Sequence, residues 1–225
     1  MRIAAFAALI AATPAAAQVS TVDEGSFTIT QNGTRVGRED FRIRRTPTSD
    51  TSVNFVASAT VDLGGRQLAP DLRTDTHGGL LAYRVEVRSG AQMQERLKGS
   101  VERGLFTAVL TTPRGESARE YMVSDGAVIL DDDIYHQYYF LASGAARRST
   151  VPVVVPRRNV QVTMRVESKG TEAITVGGRS MAASHLVVTE PGGASRDVWA
   201  DAQGRVVRVA IPARGIIAER DEPPR

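Results

Sequence analysis

Phe27-Thr28-Ile29-Thr30-Gln31-Asn32-Gly33-Thr34-Arg35-Val36 is the stretch that decides the fold. Phe27, Ile29 and Gln31 alternate with the polar Thr28 and Thr30, and successive residues of an extended chain point to opposite faces, so the two apolar side chains share one face. Asn32-Gly33 then supplies two residues that tolerate a positive φ, as a tight hairpin turn requires, and an alternating run resumes from Val36 to Ile43. The segment reads as a β-hairpin.

The same grammar extends in both directions. Val53 to Leu63 is followed by Gly64-Gly65 and Gln67 to Asp75; Gly78-Gly79 precedes Leu80 to Arg88; Ser89-Gly90 precedes Gln92 to Val101; and Arg103-Gly104 precedes Leu105 to Thr112. Toward the C-terminus the strands are Val151 to Pro156, Val160 to Ser168, Ala173 to Val176, Arg179 to Thr189, Ser195 to Ala200 and Arg205 to Ile211. Gly177-Gly178, Pro191-Gly192-Gly193 and Asp201-Ala202-Gln203-Gly204 turn the chain between them. Turns at intervals of about eight to twelve residues describe an antiparallel meander. The expectation is a mostly β protein: one domain over residues 18–220, built as a single curved antiparallel sheet or half-barrel of about ten or more strands, because so long a sheet must curl to limit its exposed edges. The charged, proline-bearing tail 221–225 is expected to fray.

One segment breaks the rhythm. Asp131-Asp132-Asp133 precedes Ile134, Tyr135, Tyr138, Tyr139 and Leu141, and the run ends at Ser143-Gly144. An acidic start, apolar positions three and four apart and a closing glycine predict a short helix inside Asp131 to Ser143, with the acids as caps against the helix dipole. Four residues apart on such a helix, Asp132 and His136 would share a face, which an acid/base or metal site also requires. The aromatic group Tyr135, Tyr138, Tyr139 and Phe140 either packs the helix onto the sheet or lines a pocket.

At the N-terminus Arg2, the apolar run Ile3 to Ala12 and the small triplet Ala15-Ala16-Ala17 form a cleavable signal peptide over residues 1–17, with the cut between Ala17 and Gln18. Its apolar run is too short to span a hydrocarbon core of about 30 Å as a helix. The later run Val151 to Val155 is broken by Pro152 and ended by Pro156, so no transmembrane anchor is expected and the mature protein should be soluble in the periplasm. The chain has no cysteine, which excludes a disulfide framework, a thiol nucleophile, a thiolate metal site and a lipidated N-terminal cysteine.

Formal net charge is +3, Lys98 and Lys169 are the only lysines, and basic residues cluster no further than Arg44-Arg45, Arg147-Arg148 and Arg157-Arg158. Nucleic acid is therefore not an expected partner. His77, His136 and His185 show no ligand spacing, and the chain contains no nucleophile elbow, phosphate-binding loop, dinucleotide fingerprint or zinc-protease helix. Ser180 and Ser184 lie near His185 but on no strand-to-helix elbow. No cofactor is indicated, and little points to an enzyme.

Gly25 to Gly37, with its Asn-Gly turn and the glycine that follows, and Val198-Trp199-Ala200-Asp201-Ala202-Gln203-Gly204-Arg205 through Pro212, a tryptophan strand, an Asp-x-x-Gly turn and an apolar strand, resemble the two ends of a family of uncharacterised Gram-negative periplasmic proteins. The chain also resembles, more distantly, the lipoprotein-carrier (LolA-like) architecture, in which a curved antiparallel sheet is closed by helices over an apolar cavity. That resemblance implies a lipid or other amphiphile as ligand; this chain departs from it in having one evident helix where the carriers have several.

The leading functional expectation is non-covalent binding of an amphiphile, a lipid or lipid-linked envelope intermediate, on the concave face of the sheet. The second is a non-catalytic envelope interaction or scaffold protein with a protein partner, and the third a hydrolase or metal-dependent enzyme. Tyr135, Tyr138, Tyr139, Phe140 and Leu141 are expected to form one wall of the binding cavity, with Trp199 on a nearby strand, because the only break in the strand rhythm is the best element to lie across an open apolar face; the alternative is that these rings are core. Export makes a direct prediction: mass spectrometry of the native protein should find Gln18 as the first residue, and an intact Met1 would overturn the assignment.

Overall fold

The computed structural model describes residues 18–48, 52–144 and 149–225; the expected signal peptide lies outside them. Alternation in the sequence becomes alternation in burial. On β1 (Ser20–Gln31) Phe27 and Ile29 are buried, and after the turn at Asn32 (φ 49°) and Gly33 (φ 79°), β2 (Thr34–Pro47) buries Glu39, Phe41 and Ile43 while Asp40, Arg42 and Arg44 face outward. The meander continues through β3 (Val53–Leu63), β4 (Arg66–Thr74), β5 (Leu80–Ser89), β6 (Gln92–Glu102), β7 (Leu105–Thr112) and β8 (Gly115–Met122). A short strand β9 (Val128–Ile129) and the helix α1 (Tyr138–Ala142) follow. The chain then returns to strands in β10 (Thr150–Val155), β11 (Val160–Val176), β12 (Arg179–Thr189), β13 (Ser195–Ala200), β14 (Val206–Ile211) and β15 (Ile216–Arg220).

The fifteen strands of the described residues belong to one sheet, ordered β8-β7-β6-β5-β4-β3-β2-β1-β15-β14-β13-β12-β11-β10-β9. The first meander and the last are fused where β1 pairs antiparallel with β15, from Phe27 opposite Arg220 to Gln31 opposite Ile216. Every pairing is antiparallel except β9 with β10, where Val128 lies beside Val153. Among the described residues no ladder between β8 and β9 closes the sheet. Its inward side chains, among them Phe27, Ile43, Leu68, Leu97, Phe106, Val153 and Val198, form a single core together with residues of the segment between β8 and β10. A smaller cluster of Ile174, Val176, Ala183 and Val207, with Met181 and Trp199 against it, is separate from that core.

The fold class expected from the sequence is the one observed, and the departures from it are local. β8, β9 and β15 have no clear alternating signal: β8 buries Tyr121 alone, β9 is two residues long, and Ile217 of β15 is exposed between buried Ile216 and Ala218. The strands expected at Val160 to Ser168 and Ala173 to Val176 are one strand, carried through a register shift between Ser168 and Gly170, where Gly170 has φ 97°. Asp221, first residue of the charged tail, donates its backbone N–H to the Ser26 carbonyl at 2.9 Å and accepts from Thr28 Oγ1 at 2.7 Å. No helix of the described residues is long and apolar enough to cross a membrane.

Gly37 allows the close approach of β2 to β3. A Cβ at this position would collide with the backbone carbonyl oxygen of Asp62 and lie 2.9 Å from Leu63 Cδ1. Since a backbone carbonyl in a ladder cannot swing aside, Gly37→Ala should cost about 1–3 kcal/mol. The check is a urea titration, in which the midpoint should fall with the slope unchanged.

Candidate functional site: the segment inside the sheet

Residues 123–144 leave β8 and run along the concave face before the chain rejoins the sheet at β10. Leu80 N–H of β5 donates to Ala127 O at 2.9 Å, β9 pairs with β10, and Leu130 N–H reaches Val154 O at 3.3 Å. The segment enters the interior because it carries Ile134, Tyr135, Tyr138, Tyr139, Phe140 and Leu141, all between 1 and 8 % exposed. Removing this much apolar surface from water is the main favourable term for its docking.

A carboxylate of the sheet wall holds it in place. Glu39 of β2 is 0 % exposed and accepts three hydrogen bonds: from the backbone N–H of Tyr135 at 2.6 Å, from that of His136 at 2.9 Å, and from His136 Nδ1 at 2.5 Å. His136 is itself buried and stacks on Phe41, with ring centroids 5.9 Å apart and planes 9° apart. A charge this deep is tolerable only when paired and hydrogen-bonded, and here the inserted segment supplies every partner. Sequence reasoning missed Glu39. The available signal was its phase, since it falls on the same face of β2 as Phe41 and Ile43.

The three aspartates are not helix caps. α1 begins at Tyr138 with Gln137 as its N-cap, which makes no side-chain capping bond, and no acid lies in its first turn. Asp131 instead accepts from Arg157 Nε and from the Tyr83 hydroxyl, each at 2.8 Å. Asp133, at φ 66°, is held between Arg214 at 2.7 Å and Arg66 at 3.1 Å, and Asp132 faces Arg158 at 3.6 Å. The correction has a physical reason: a guanidinium at hydrogen-bond distance presents a full charge, whereas a helix N-terminus offers about half of one. With the helix starting at Tyr138, Asp132 and His136 do not share a helical face, and His136 turns to Glu39.

Protonation follows from these contacts. Burial raises the Asp131 carboxyl, and the Arg157 charge and the Arg157 and Tyr83 hydrogen bonds oppose that shift. Burial acts against the Arg157 charge too, but Asp131 more than offsets it and the guanidinium keeps its proton. The Arg157–Asp131 ion pair is formed, because the hydrogen-bond geometry favours both charges. Burial first and the Asp131 charge second push the Tyr83 phenol well above its ordinary value, so it stays the donor to Asp131. Burial likewise pushes Tyr138 up to about 12.

The aromatic residues singled out in the sequence are brought together. Tyr139 and Phe140 meet edge to face at 5.3 Å, and Phe55 of β3 contacts Tyr139 at 6.4 Å and Phe140 at 6.2 Å. Tyr135, Tyr138, Tyr139, Phe140 and Leu141 all belong to the core cluster, filling the interior of the sheet. Trp199 is not with them, which corrects its expected place. On β13 Val198 and Ala200 take the inward positions, so period two sends Trp199 to the other face. There it stacks on His185 at 4.5 Å, donates Nε1–H to Glu172, and has the Arg208 guanidinium 5.6 Å from its ring centre.

Three buried polar atoms on consecutive residues of the segment have no hydrogen-bond partner: Tyr135 Oη, His136 Nε2 and Gln137 Nε2. Gln137 Oε1 accepts from Asp131 N–H at 2.7 Å, which orients the amide and leaves its nitrogen as the free end. Among the described residues no three His, Asp or Glu side chains converge in a group able to hold a metal ion. A surface cleft of about 460 Å³ lies beside the start of β1 and the C-terminal tail, but its arginines are taken: Arg220 by Asp23 at 2.8 Å, Arg38 by Asp221 at 2.5 Å, Arg205 by Asp201 at 2.7 Å and the exposed Arg225 by Glu222 at 3.4 Å.

Two substitutions test this packing. Tyr138→Ala should cost about 3–5 kcal/mol, the range for truncating a large buried ring. Glu39→Ala, which strands two buried amides and an imidazole, should cost a similar 3–5 kcal/mol or so, whereas Glu39→Gln keeps one acceptor oxygen and should cost less. Denaturant titrations measure both, and a loss below about 1 kcal/mol for Glu39→Ala would show that the segment is held by its apolar side chains alone.

Comparison with known proteins finds no matching family model and no matching curated protein. Among solved structures, the fold is similar to the crystal structure of a β-barrel-like protein of a domain of unknown function (DUF1849) from Brucella abortus, with a TM-score of 0.50, 10 % identity, and coverage of 88 % of this chain and 94 % of that one. At that identity the likeness is one of fold: an all-β, barrel-like architecture whose function is unknown, with no specific tie to the lipoprotein carriers.

Proposed function

We propose that the protein is exported across the inner membrane and binds an amphiphile, a lipid or lipid-linked envelope intermediate, between the concave face of its sheet and the inserted segment 123–144. The observation that carries this reading is the way the interior is filled. The filling is a chain segment with a five-residue helix and a two-residue strand. It is seated by its buried apolar side chains and oriented on the wall by discrete polar contacts at Glu39, Asp131 and Asp133. In this reading the insert shifts as a unit to admit the ligand, and the space it yields is lined by aliphatic and aromatic side chains suited to a hydrocarbon body. The unpartnered Tyr135 hydroxyl, His136 Nε2 and Gln137 Nε2 give a headgroup polar atoms to bind. Each stands to recover a desolvation cost of about 1–3 kcal/mol when satisfied.

Native mass spectrometry after gentle isolation, with a fluorescent fatty acid titrated into the delipidated protein, tests the proposal. Co-purified lipid and saturable binding at one site are expected; neither appearing would overturn it. A non-catalytic envelope partner is the second reading, favoured by one feature: beyond Val166, whose N–H donates to Ser149 O at 2.8 Å, β11 pairs among the described residues only with β12, which leaves an edge for a strand from another protein. In that case the native spectrum should contain an associated protein in place of lipid.

A further inference from the structure

We propose that the amphiphile enters sideways, through the seam where β8 meets the turn joining β10 to β11, and that its head is anionic. This rests on the binding reading above and names the route into the same interior.

β8 and β9 are the two edges of the sheet; β8 has one ladder neighbour, β7, paired from Leu105 opposite Met122 to Thr112 opposite Gly115. On its far side lie the 3₁₀ turn Pro156–Arg158 and the start of β11, and among the described residues three side chains make the join. Arg119 donates to the carbonyl oxygens of Pro156 and, at 3.1 Å, Arg157. The Tyr121 hydroxyl reaches Asn159 Oδ1 at 3.0 Å and Pro156 O at 3.4 Å, and Gln161 Nε2 donates to Met122 O. Opening this seam rotates side chains and breaks no backbone ladder, so it is the weakest join around the wall.

The chemistry along the seam suits the proposed guest. Met122, 75 % exposed, stands at its outer lip. Directly inside, Tyr121 is buried and stacked on Phe106 with centroids 5.9 Å apart, and fully buried Val155 lies at the end of β10. An apolar path thus leads from the surface to the core. Arg119 and Arg157 flank it, and Arg119 spends its guanidinium on neutral carbonyls, a bond that a carboxylate or phosphate head would replace with a charge-assisted one.

The chain has no cysteine of its own, so introduced thiols are unambiguous. In Met122→Cys/Gln161→Cys, a short bis-maleimide will bridge the seam. Bridging should slow uptake of dansyl-undecanoate, an anionic probe, by at least about tenfold, while the same variant capped with N-ethylmaleimide takes it up freely; equal rates would overturn the route. A neutral ester of the probe should enter more weakly, and equal affinity would overturn the anionic head. A second measurement needs no ligand. Ala108, opposite Arg119 on β7 and fully buried, becomes a buried thiol in Ala108→Cys. Adding Arg119→Ala and Gln161→Ala should speed its labelling by a small maleimide about tenfold at an unchanged urea midpoint. Unchanged labelling would overturn the gate. Faster labelling with no probe binding in any form would uphold the gate and remove the binding reading instead.

Discussion

A single buried carboxylate sets the interior of this protein. Glu39 stands on the concave face of β2 among Phe41 and Ile43, where an unpaired charge would be intolerable, and its partners come from one place, the Tyr135 and His136 amides and the His136 ring. Two consecutive amides bound by one carboxylate fix the position and direction of the chain at that point. From there α1 follows in the next residues and carries its rings into the core, and Asp131 and Asp133, just upstream, come within reach of Arg66 on β4, Arg157 on the 3₁₀ turn Pro156–Arg158 and Arg214 on a second 3₁₀ turn, Pro212–Arg214. The pair also acts as a specification: a segment shifted by one residue along the wall would leave both the carboxylate and an imidazole buried without partners.

The insert also explains how so long a sheet stays open. Fifteen strands in one sheet leave two edges to manage. At one end the chain folds inward, so that the last strand, β9, is two residues long and lies beside β10 within reach of β5. At the other end β8 is mostly charged and polar, and side chains take up its outer edge. A wall closed by side chains and filled by its own chain is stable without being sealed. That combination distinguishes this sheet from a barrel closed by a continuous ladder, whose interior can be reached only from its ends.

The outer face follows different rules. Its side chains form cross-strand rows, the clearest running from His185 through Trp199 and Arg208 to Glu219, each opposite the next in the register. Stacking, a cation over an aromatic ring and an ion pair succeed one another along that row. Such pairs stabilise neighbouring strands by modest amounts each. They also account for the place of Trp199, on the face opposite the other aromatic residues.

Taken alone, the sequence determined the strand rhythm, the hairpin at Asn32-Gly33, the antiparallel all-β class and the one place where the rhythm breaks. These are legible because they depend on neighbours: side chains alternate every two residues, and a turn needs its φ angles within four. Period two, applied strictly, would also have sent Trp199 outward and Glu39 inward, since Val198 and Phe41 mark the buried phase on their strands. What only the tertiary structure decided is which charge meets which. Asp131-Asp132-Asp133 reads locally as a helix cap, yet Arg66, Arg157 and Arg214 reach those acids from elsewhere in the chain, and Glu39 meets His136 across 97 residues. Local patterns carry no information about such pairs, because a charge selects its partner by distance and burial after the sheet has curled.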